Sequence, residues 1–439
     1  MEMIVSEEDT SSSNNNNNSN VSCSIESESP EIVQVKPSRD STFFNTLMNL
    51  LNCLLGAGIL SVPSSFASAG LIPSLFILLA VAYLCYISSL IDIRLVLKIE
   101  CAGFDELIDK IMGKWGSITY SIIVIIFLFA SMIAYLIIGC DTIISWFSFA
   151  GINLSDLKYR IIIILIYSLV IPVSLMIPKD FFLIGIFSAA SVFCVIFYII
   201  AVIVKSVQYF PTHSISNTMV LAKFDISLFS SVGVYALTFA LPTVVITILH
   251  PYSPEYKKRR NVVMSCFLIT CFMTIFPSIF LYFMFGADAN GNILNSFHAN
   301  DVLFTIVRVG FFLVVSFSFP VCGKSVMWNW SQLIFHKNHV NELKKWEYMT
   351  VFFITVVIPI LLAMFLPQCK PIIAVGGAFG GCLACYTYPS ILWIMASEKP
   401  WNHRSNIGYI IYAVFGVGLA IISTYQSVMD AIQSIKDML

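Results

Sequence analysis

Charged side chains are scarce in this sequence. Aspartate, glutamate, lysine and arginine make up 11% of its 439 residues, whereas soluble domains carry about 25%. Hydrophobic residues reach 58%, and the mean hydropathy is +0.86. The net charge is only −1 and no domain is basic, so no nucleic-acid partner is predicted. The scarcity of charge excludes an ordinary soluble domain and predicts that the lipid bilayer surrounds most of the chain.

Signatures of catalysis and of nucleotide binding are also lacking. The sequence has no HExxH motif, no phosphate-binding loop and no recognisable Ser-His-Asp set. Most of the twelve cysteines lie inside apolar blocks, where they act as small hydrophobes rather than as a disulfide framework. Cys382 and Cys385 have no second cysteine pair or histidine nearby. The chain is therefore predicted to be neither an enzyme nor an ATP-driven pump, and to need no cofactor.

Apolar blocks of membrane-spanning length dominate the rest of the chain. Residues 1–40 contain an asparagine run and are predicted to be a disordered cytoplasmic tail. A transmembrane domain is predicted over 41–430, followed by a short C-terminal tail at 431–439. A short amphipathic surface helix is predicted at 104–112. The fold class is thus an all-α membrane protein with about eleven spans, near residues 43–67, 72–97, 118–147, 159–177, 181–207, 226–249, 262–285, 302–333, 348–366, 372–395 and 407–428.

Basic side chains in the loops predict the orientation. If the N-terminus is cytoplasmic, most lysines and arginines outside the spans fall on the cytoplasmic side, as they do in membrane proteins generally. The cluster from Lys257 to Arg260 contributes most to this prediction. The Asn153 glycosylation sequon then lies on the opposite side, and the sequence leaves its use open.

The first apolar block is poorly suited to be a plain membrane helix. Asn45, Asn49 and Asn52 recur at spacings that place their amides on one helical face. Two glycines and then Pro63 follow, and these residues weaken or interrupt helices. Broken helices are tolerated in membranes only inside protein or beside a water-filled cavity. The block therefore predicts a broken helix with a binding site near the middle of the membrane.

The break itself suggests what it binds. Free N–H groups at the start of its second half favour an anion such as a carboxylate, and the small side chains of Gly56, Ala57 and Gly58 let it approach the backbone. The alternative is that the glycines only permit close helix packing.

A small cation is a second candidate ligand. Exposed carbonyls at the break, the side-chain oxygen of Asn52, and the hydroxyls of Ser316 and Ser318 provide oxygen ligands for Na⁺. The alternative is that these serines bond to carbonyls of their own helix.

The sixth block has a similar interruption. Gly233 and Pro242 bracket Tyr235, Thr238 and Phe239, which are candidates to contact a substrate. The first and sixth blocks lie five spans apart, so a second set of five spans would be inverted relative to the first. The pattern predicts a 5+5 inverted repeat, although glycine and proline breaks also occur in membrane helices without a function.

Few charged residues lie within the predicted spans. Asp141 is near the end of the third span and is expected at the interface, whereas Arg94 and Arg308 are expected to extend toward it. Lys324 is expected either to extend toward the interface as well or to influence the proposed cation site through its charge.

Several of these segments together resemble one transporter family. The run Asn49-Leu-Leu-Asn52-Cys-Leu-Leu-Gly56-Ala-Gly58-Ile-Leu-Ser-Val-Pro63 resembles the first-helix signature of the amino acid/auxin permease family. That family includes neutral and vacuolar amino acid transporters. Segments 229–239, 316–320 and 376–389 resemble its sixth, eighth and tenth helices, and the resemblance covers residues 41–430.

The resemblance implies eleven spans, a leucine-transporter-type inverted repeat with broken first and sixth helices, and alternating access. It implies transport of amino acids with H⁺ or Na⁺, substrate contact at 56–58 and 238–240, and cation contact at Asn52 and at Ser316 or Ser318. A serine replaces the threonine common in the eighth helix, and Lys324 lies closer to the preceding proline than is usual. Both departures leave the coupling ion open.

Secondary active transport of amino acids is therefore the predicted function. The alternatives are an amino-acid-sensing receptor of the same fold that signals through its N-terminal tail, and a channel. The predicted partners are an amino acid substrate and the bilayer, in the plasma membrane or in a lysosomal or vacuolar membrane. No oligomeric state is predicted.

Overall fold

Helices make up all the regular structure in the described part of the chain. The computed structural model describes residues 41–436 except 102, 155, 178–181 and 338–339, and it leaves out the side chains of 182–188 and 341. The predicted tail 1–40 lies outside the described residues. The α-helices are α1 (Phe43–Leu54), α2 (Gly58–Ala69), α3 (Leu71–Ile99), α4 (Phe104–Phe149), α5 (Leu157–Ser168), α6 (Ser174–Met176), α7 (Phe182–Tyr209), α8 (Leu228–Thr238), α9 (Val245–Leu249), α10 (Tyr256–Phe285), α11 (Val302–Phe335), α12 (Lys345–Phe365), α13 (Cys369–Gly376), α14 (Tyr388–Met395) and α15 (Arg404–Lys436).

Shorter helical segments connect or interrupt these helices. The π-helical segments are Leu169–Val173, Gly377–Gly381 and Leu383–Thr387, and the 3₁₀ segments are Leu241–Thr243, Gly286–Asp288, Ile293–Ser296 and Val340–Glu342. The last helix continues to Lys436, beyond the end of the predicted eleventh span.

The number of spans agrees with an all-α multi-pass membrane protein. Among the described residues, nine helical stretches are long and apolar enough to cross a membrane, and the bent pair α1–α2 makes a tenth. The remaining predicted span is the sixth block, which forms the short apolar stretch Leu228–Thr243 followed by α9. The predicted fold class is confirmed at this level, whereas the 5+5 inverted repeat stays a prediction.

The outside of the bundle is apolar, as contact with lipid requires. On α3, for example, Phe76 and Tyr83 are 75% and 62% exposed, whereas Cys85, Ser88 and Ser89 on the opposite face are fully buried. In water such a surface would favour aggregation, but lipid tails are as apolar as these side chains. On α3 the polar face formed by Ser88 and Ser89 therefore points into the protein.

A kink at Gly113 divides the long helix α4. Gly113 has a φ of +69°, a conformation that suits glycine because it has no Cβ. The predicted amphipathic segment 104–112 precedes this kink, with Leu107 and Ile108 fully buried. The segment is therefore a short helix of its own, separated from the third span by the non-helical conformation of Gly113.

Small residues bring α8 into backbone contact with the tenth span. A Cβ added to Gly233 would collide with the carbonyl of Ala374, and one added to Gly377 would collide with the carbonyl of Gly233. Close approach through glycine is a common way for membrane helices to associate. The contact fixes α8 against the α13 region of the bundle.

Candidate functional site

The first helix is broken where the sequence predicts. Helix α1 ends at Leu54 and α2 begins at Gly58, and their axes differ by 50°. Ala57 precedes α2 and makes no side-chain cap. The first amides of a helix have no partner within it, so the start of α2 presents donors at the break.

The sixth span is interrupted at a matching place. Helix α8 ends at Thr238, and Phe239 leaves the helical conformation before the short 3₁₀ segment. Tyr235 and Phe239 are fully buried, and Thr238 is 1% exposed. The Thr238 hydroxyl donates to the carbonyl of Val234 at 2.8 Å.

The two breaks meet inside the protein. A Cβ added to Gly58 would lie 3.2 Å from Cα of Thr238 and 2.5 Å from its hydroxyl oxygen. Toward the ends of these helices, Ser231 donates to the carbonyl of Ser65 at 2.8 Å, and Ser227 donates to the carbonyl of Ser68 at 2.9 Å. Two predicted substrate residues from distant parts of the chain, Gly58 and Thr238, are thus in contact.

Tyr135 of α4 approaches the first break from another direction. Its hydroxyl lies 3.1 Å from where a Cβ on Gly56 would stand. The same hydroxyl interacts with Ser318 and Cys322 of α11. The structure therefore gathers Gly56 and Ser318 around Tyr135. Tyr135 was not among the residues predicted from the sequence, although a tyrosine in the middle of an apolar block is a visible signal.

The three predicted cation residues differ in their surroundings. Asn52 and Ser318 are half-buried, whereas Ser316 is 1% exposed and its hydroxyl lies 2.8 Å from that of Tyr167. Ser316 and Ser318 are two residues apart, so they occupy different sides of α11. Ser318 faces Tyr135, and Ser316 faces α5.

The first span is unequally buried along its length. We call the end of the bundle at Phe43 the near side and the end at Ala69 the far side. Asn45, Asn49 and Cys53 in α1 are exposed, whereas every residue of α2 from Gly58 to Phe66 is buried. The molecule is therefore more open on the near side of the break than on the far side.

Hydrogen bonds hold the far end of α2. The Lys370 ammonium donates to the carbonyl of Ser64 at 2.9 Å and to the hydroxyl of Ser68 at 3.4 Å. A cation at the C-terminal end of a helix also interacts favourably with the helix dipole. This contact and the hydrogen bonds that Ser227 and Ser231 donate to α2 together close the far side.

Two charged residues near the ends of spans are covered by protein, and their predicted placement at the membrane interface stays a prediction. Asp141 is 9% exposed because the segment 292–295 covers it. It accepts hydrogen bonds from Arg160 at 3.0 Å, from Asn292 at 3.2 Å and from Asn295 at 2.9 Å. Arg308 is 2% exposed, and it reaches back past the start of α11 to donate to the carbonyls of residues 294 and 297 at 2.9 and 2.8 Å.

Asp141, Arg160 and Arg308 also line an open pocket of about 320 Å³, together with Ser145 and Ser148. The two arginines are already engaged by the contacts described above. The pocket is lined by α4, α5, α11 and the segment before α11. No residue of the two helix breaks lines it.

The chain resembles amino acid transporters over most of its length. A profile of the family described as "Transmembrane amino acid transporter protein" matches residues 39–429. The sodium-coupled neutral amino acid symporter 2 of Danio rerio is 24% identical, over 86% of this chain and 80% of the relative. The sodium-coupled neutral amino acid transporter 7 of Xenopus laevis is 22% identical, over 86% of each chain.

A plant protein is similar to the same degree. The amino acid transporter AVT6D of Arabidopsis thaliana is 25% identical, over 70% of this chain and 76% of the relative. The family match spans both helix breaks, all the helices from α1 to α14 and most of α15. This chain therefore belongs to the transmembrane amino acid transporter family.

Proposed function

We propose that this protein is a secondary active transporter that moves neutral amino acids by alternating access. The observation that carries the proposal is the contact of the two helix breaks at Gly58 and Thr238. Such breaks supply backbone groups for a ligand at mid-membrane, and the segments on either side of them can move separately. None of the residues gathered at the breaks carries a formal charge, which favours a substrate with an uncharged side chain.

The proposed substrate site uses the backbone of Gly56, Ala57 and Gly58 for the carboxylate. The uncapped start of α2 and its positive dipole end support this assignment. Tyr235, Thr238 and Phe239 form the opposing wall. A Cβ on Gly58 would collide with Thr238, so this glycine also lets the two breaks pack closely.

The proposed coupling ion is Na⁺, and H⁺ is the alternative. Two of the relatives are named as sodium-coupled, and hard cations prefer oxygen ligands. Asn52 and Ser318 lie near the first break, and Tyr135 connects Ser318 to Gly56. Ser316 would join this site only after its hydroxyl leaves Tyr167.

The proposed state of the molecule is open to the cytoplasm. The basic loop residues assign the near side to the cytoplasm, in the plasma membrane or in a lysosomal or vacuolar membrane. Amide side chains facing lipid would be costly, so the exposed asparagines of α1 fit a water-filled passage from the near side to Gly56. Closure of this passage and release of the far end of α2 would complete the cycle.

Transport by purified protein in liposomes tests the proposal. A panel of radiolabelled amino acids is applied at two pH values, with and without a Na⁺ gradient. Gly56→Val should abolish flux, because a side chain there collides with Tyr135. Gly418→Val is the matched control, since a Cβ on Gly418 meets nothing within 4 Å.

Three outcomes would contradict parts of this proposal. Normal flux in Gly56→Val would refute the site. Saturable amino acid binding by the wild type without flux would refute transport and favour the receptor. Currents far faster than a carrier can turn over would favour a channel.

A further inference from the structure

Asp92 is a buried carboxyl group with no role in the proposed substrate or cation sites. It lies on α3, in the half of that helix nearer Ile99 and therefore toward the near side. It is 0% exposed, and neither carboxyl oxygen has a hydrogen-bond partner among the described residues. Asp92 was not among the residues predicted from the sequence, although an ionisable residue within a span is a functional candidate.

The groups facing Asp92 come from three other spans. Tyr120 of α4, Cys385 of the segment Leu383–Thr387 and Tyr412 of α15 all interact electrostatically with it. None of these is a cation, and none of the ion pairs in the described part of the chain includes Asp92. The nearby Arg94 is exposed and donates to Tyr256 of α10 at 3.0 Å.

The hydroxyl groups around Asp92 differ in how they are bonded. Tyr412 donates to the carbonyl of Leu84 at 2.8 Å and lies 2.9 Å from the hydroxyl of Ser88. Ser89 donates to its own helix at the carbonyl of residue 85. The Tyr120 hydroxyl, by contrast, is buried and has no partner among the described residues. Asp92 and Tyr120 therefore interact electrostatically with each other. Neither has a hydrogen-bond partner for its side-chain oxygens among the described residues.

Burial without a partner determines the protonation state of Asp92. A carboxylate sealed from water and from cations is very unfavourable, and such a group takes up a proton instead. This environment therefore favours the neutral form of the Asp92 carboxyl in this conformation. It can ionise only in a conformation that brings water or a cation to it.

Some of the segments around Asp92 could change conformation and bring water to its carboxyl group. Cys385 belongs to a π-helical segment, and π segments often mark functional sites in helices. Tyr120 contacts the ring of Tyr388 just after that segment, with ring centroids 5.0 Å apart. Tyr120 also interacts with Asp105, which is partly exposed at the near-side start of α4. Tyr120 thus interacts electrostatically with both carboxyl groups.

We propose that Asp92 is a proton-binding site of the transport cycle, occupied in this conformation and emptied in another. In the emptied state the O–H bond of the carboxyl breaks, the proton passes to water on the near side, and a carboxylate remains. Movement of the segment 383–387 relative to α3 and Tyr120 admits that water. The proposal rests on the proposed transport function. It makes transport depend on the near-side pH whichever ion provides the driving gradient.

Two measurements test the proposal. The first is flux of a transported amino acid in liposomes as the near-side pH is varied, for the wild type, Asp92→Asn and Asp109→Asn. One proton changes a rate by at most about tenfold per pH unit. We expect this dependence in the wild type and in the exposed control Asp109→Asn, whereas the neutral isostere Asp92→Asn should show little dependence. An unchanged pH profile in Asp92→Asn would overturn the proposal.

The second measurement does not depend on transport. Infrared difference spectra of the purified wild type should contain the C=O band of a protonated carboxyl at neutral pH, and Asp92→Asn should lack it. If this band is the same in both proteins, Asp92 is not the protonated group. A wild type with the band but without any flux would refute the proposed function and leave the proton site intact. If Asp92→Asn does not fold, Asp92→Glu replaces it, and a shifted pH profile is then the expected result.

Discussion

Removing the carboxylate of Asp141 should destabilise the protein strongly, although the residue lies outside the proposed substrate site. Its carboxylate pairs with Arg160 at 3.0 Å, and the two side chains are 8% and 12% exposed. Asn292 and Asn295 donate to the same carboxylate. In Asp141→Ala the Arg160 guanidinium stays buried without its counter-ion. Breaking such a pair from one side costs about 3–5 kcal/mol.

Heat inactivation in one detergent and lipid mixture measures this effect. The matched control is Asp225→Ala, whose partner Lys223 is 3.7 Å away, with the two side chains 53% and 48% exposed. Exposed ion pairs contribute about 0–1 kcal/mol, so this control should inactivate nearly as slowly as the wild type. The double replacement of Asp141 and Arg160 by leucine should regain part of the stability, because no unpaired charge remains. Equal inactivation of Asp141→Ala and Asp225→Ala would refute the reasoning.

Three further predictions concern transport. Gly58→Ala should lower flux far more than Gly418→Ala, because its Cβ would meet backbone of the second break; equal flux in the two variants would contradict this. Ser318→Ala should raise the Na⁺ concentration needed for half-maximal flux, whereas Ser325→Ala, exposed on the same helix, should leave it unchanged. Lys370→Met should increase labelling of a cysteine introduced on the far end of α2, since the ammonium no longer holds its carbonyl; unchanged labelling would show that other contacts close the far side.

Local sequence chemistry predicted the elements of the fold and both helix breaks. Glycine and proline weaken helices wherever they occur, so the interruptions near Gly56 and before Pro242 were visible without a structure. The family resemblance added the prediction that these breaks contact a substrate and that a cation binds near the first break. The contact between Gly58 and Thr238 joins distant parts of the chain, and helical periodicity carries no information about it.

The partners of two charged residues could not be predicted from the sequence. Asp141 lies near the end of a span, and the segment 292–295 covers it. The path of a connecting segment depends on tertiary contacts. The neighbouring residues 294 and 297 offer Arg308 carbonyl oxygens. Asp92 differs from both, because an isolated carboxyl in an apolar block was visible in the sequence.

The backbone contact of Gly233 with Ala374 and Gly377 has a mechanical consequence. Side chains can adjust their rotamers when two helices slide, but backbones already in contact leave no such freedom. A displacement of α8 must therefore carry α13 and the start of the π-helical stretch with it. The next π-helical segment, Leu383–Thr387, contains Cys385. Cys385 interacts electrostatically with Asp92. We therefore expect a movement of the second helix break to reach the surroundings of the buried carboxyl through the tenth span, without passing through the first helix.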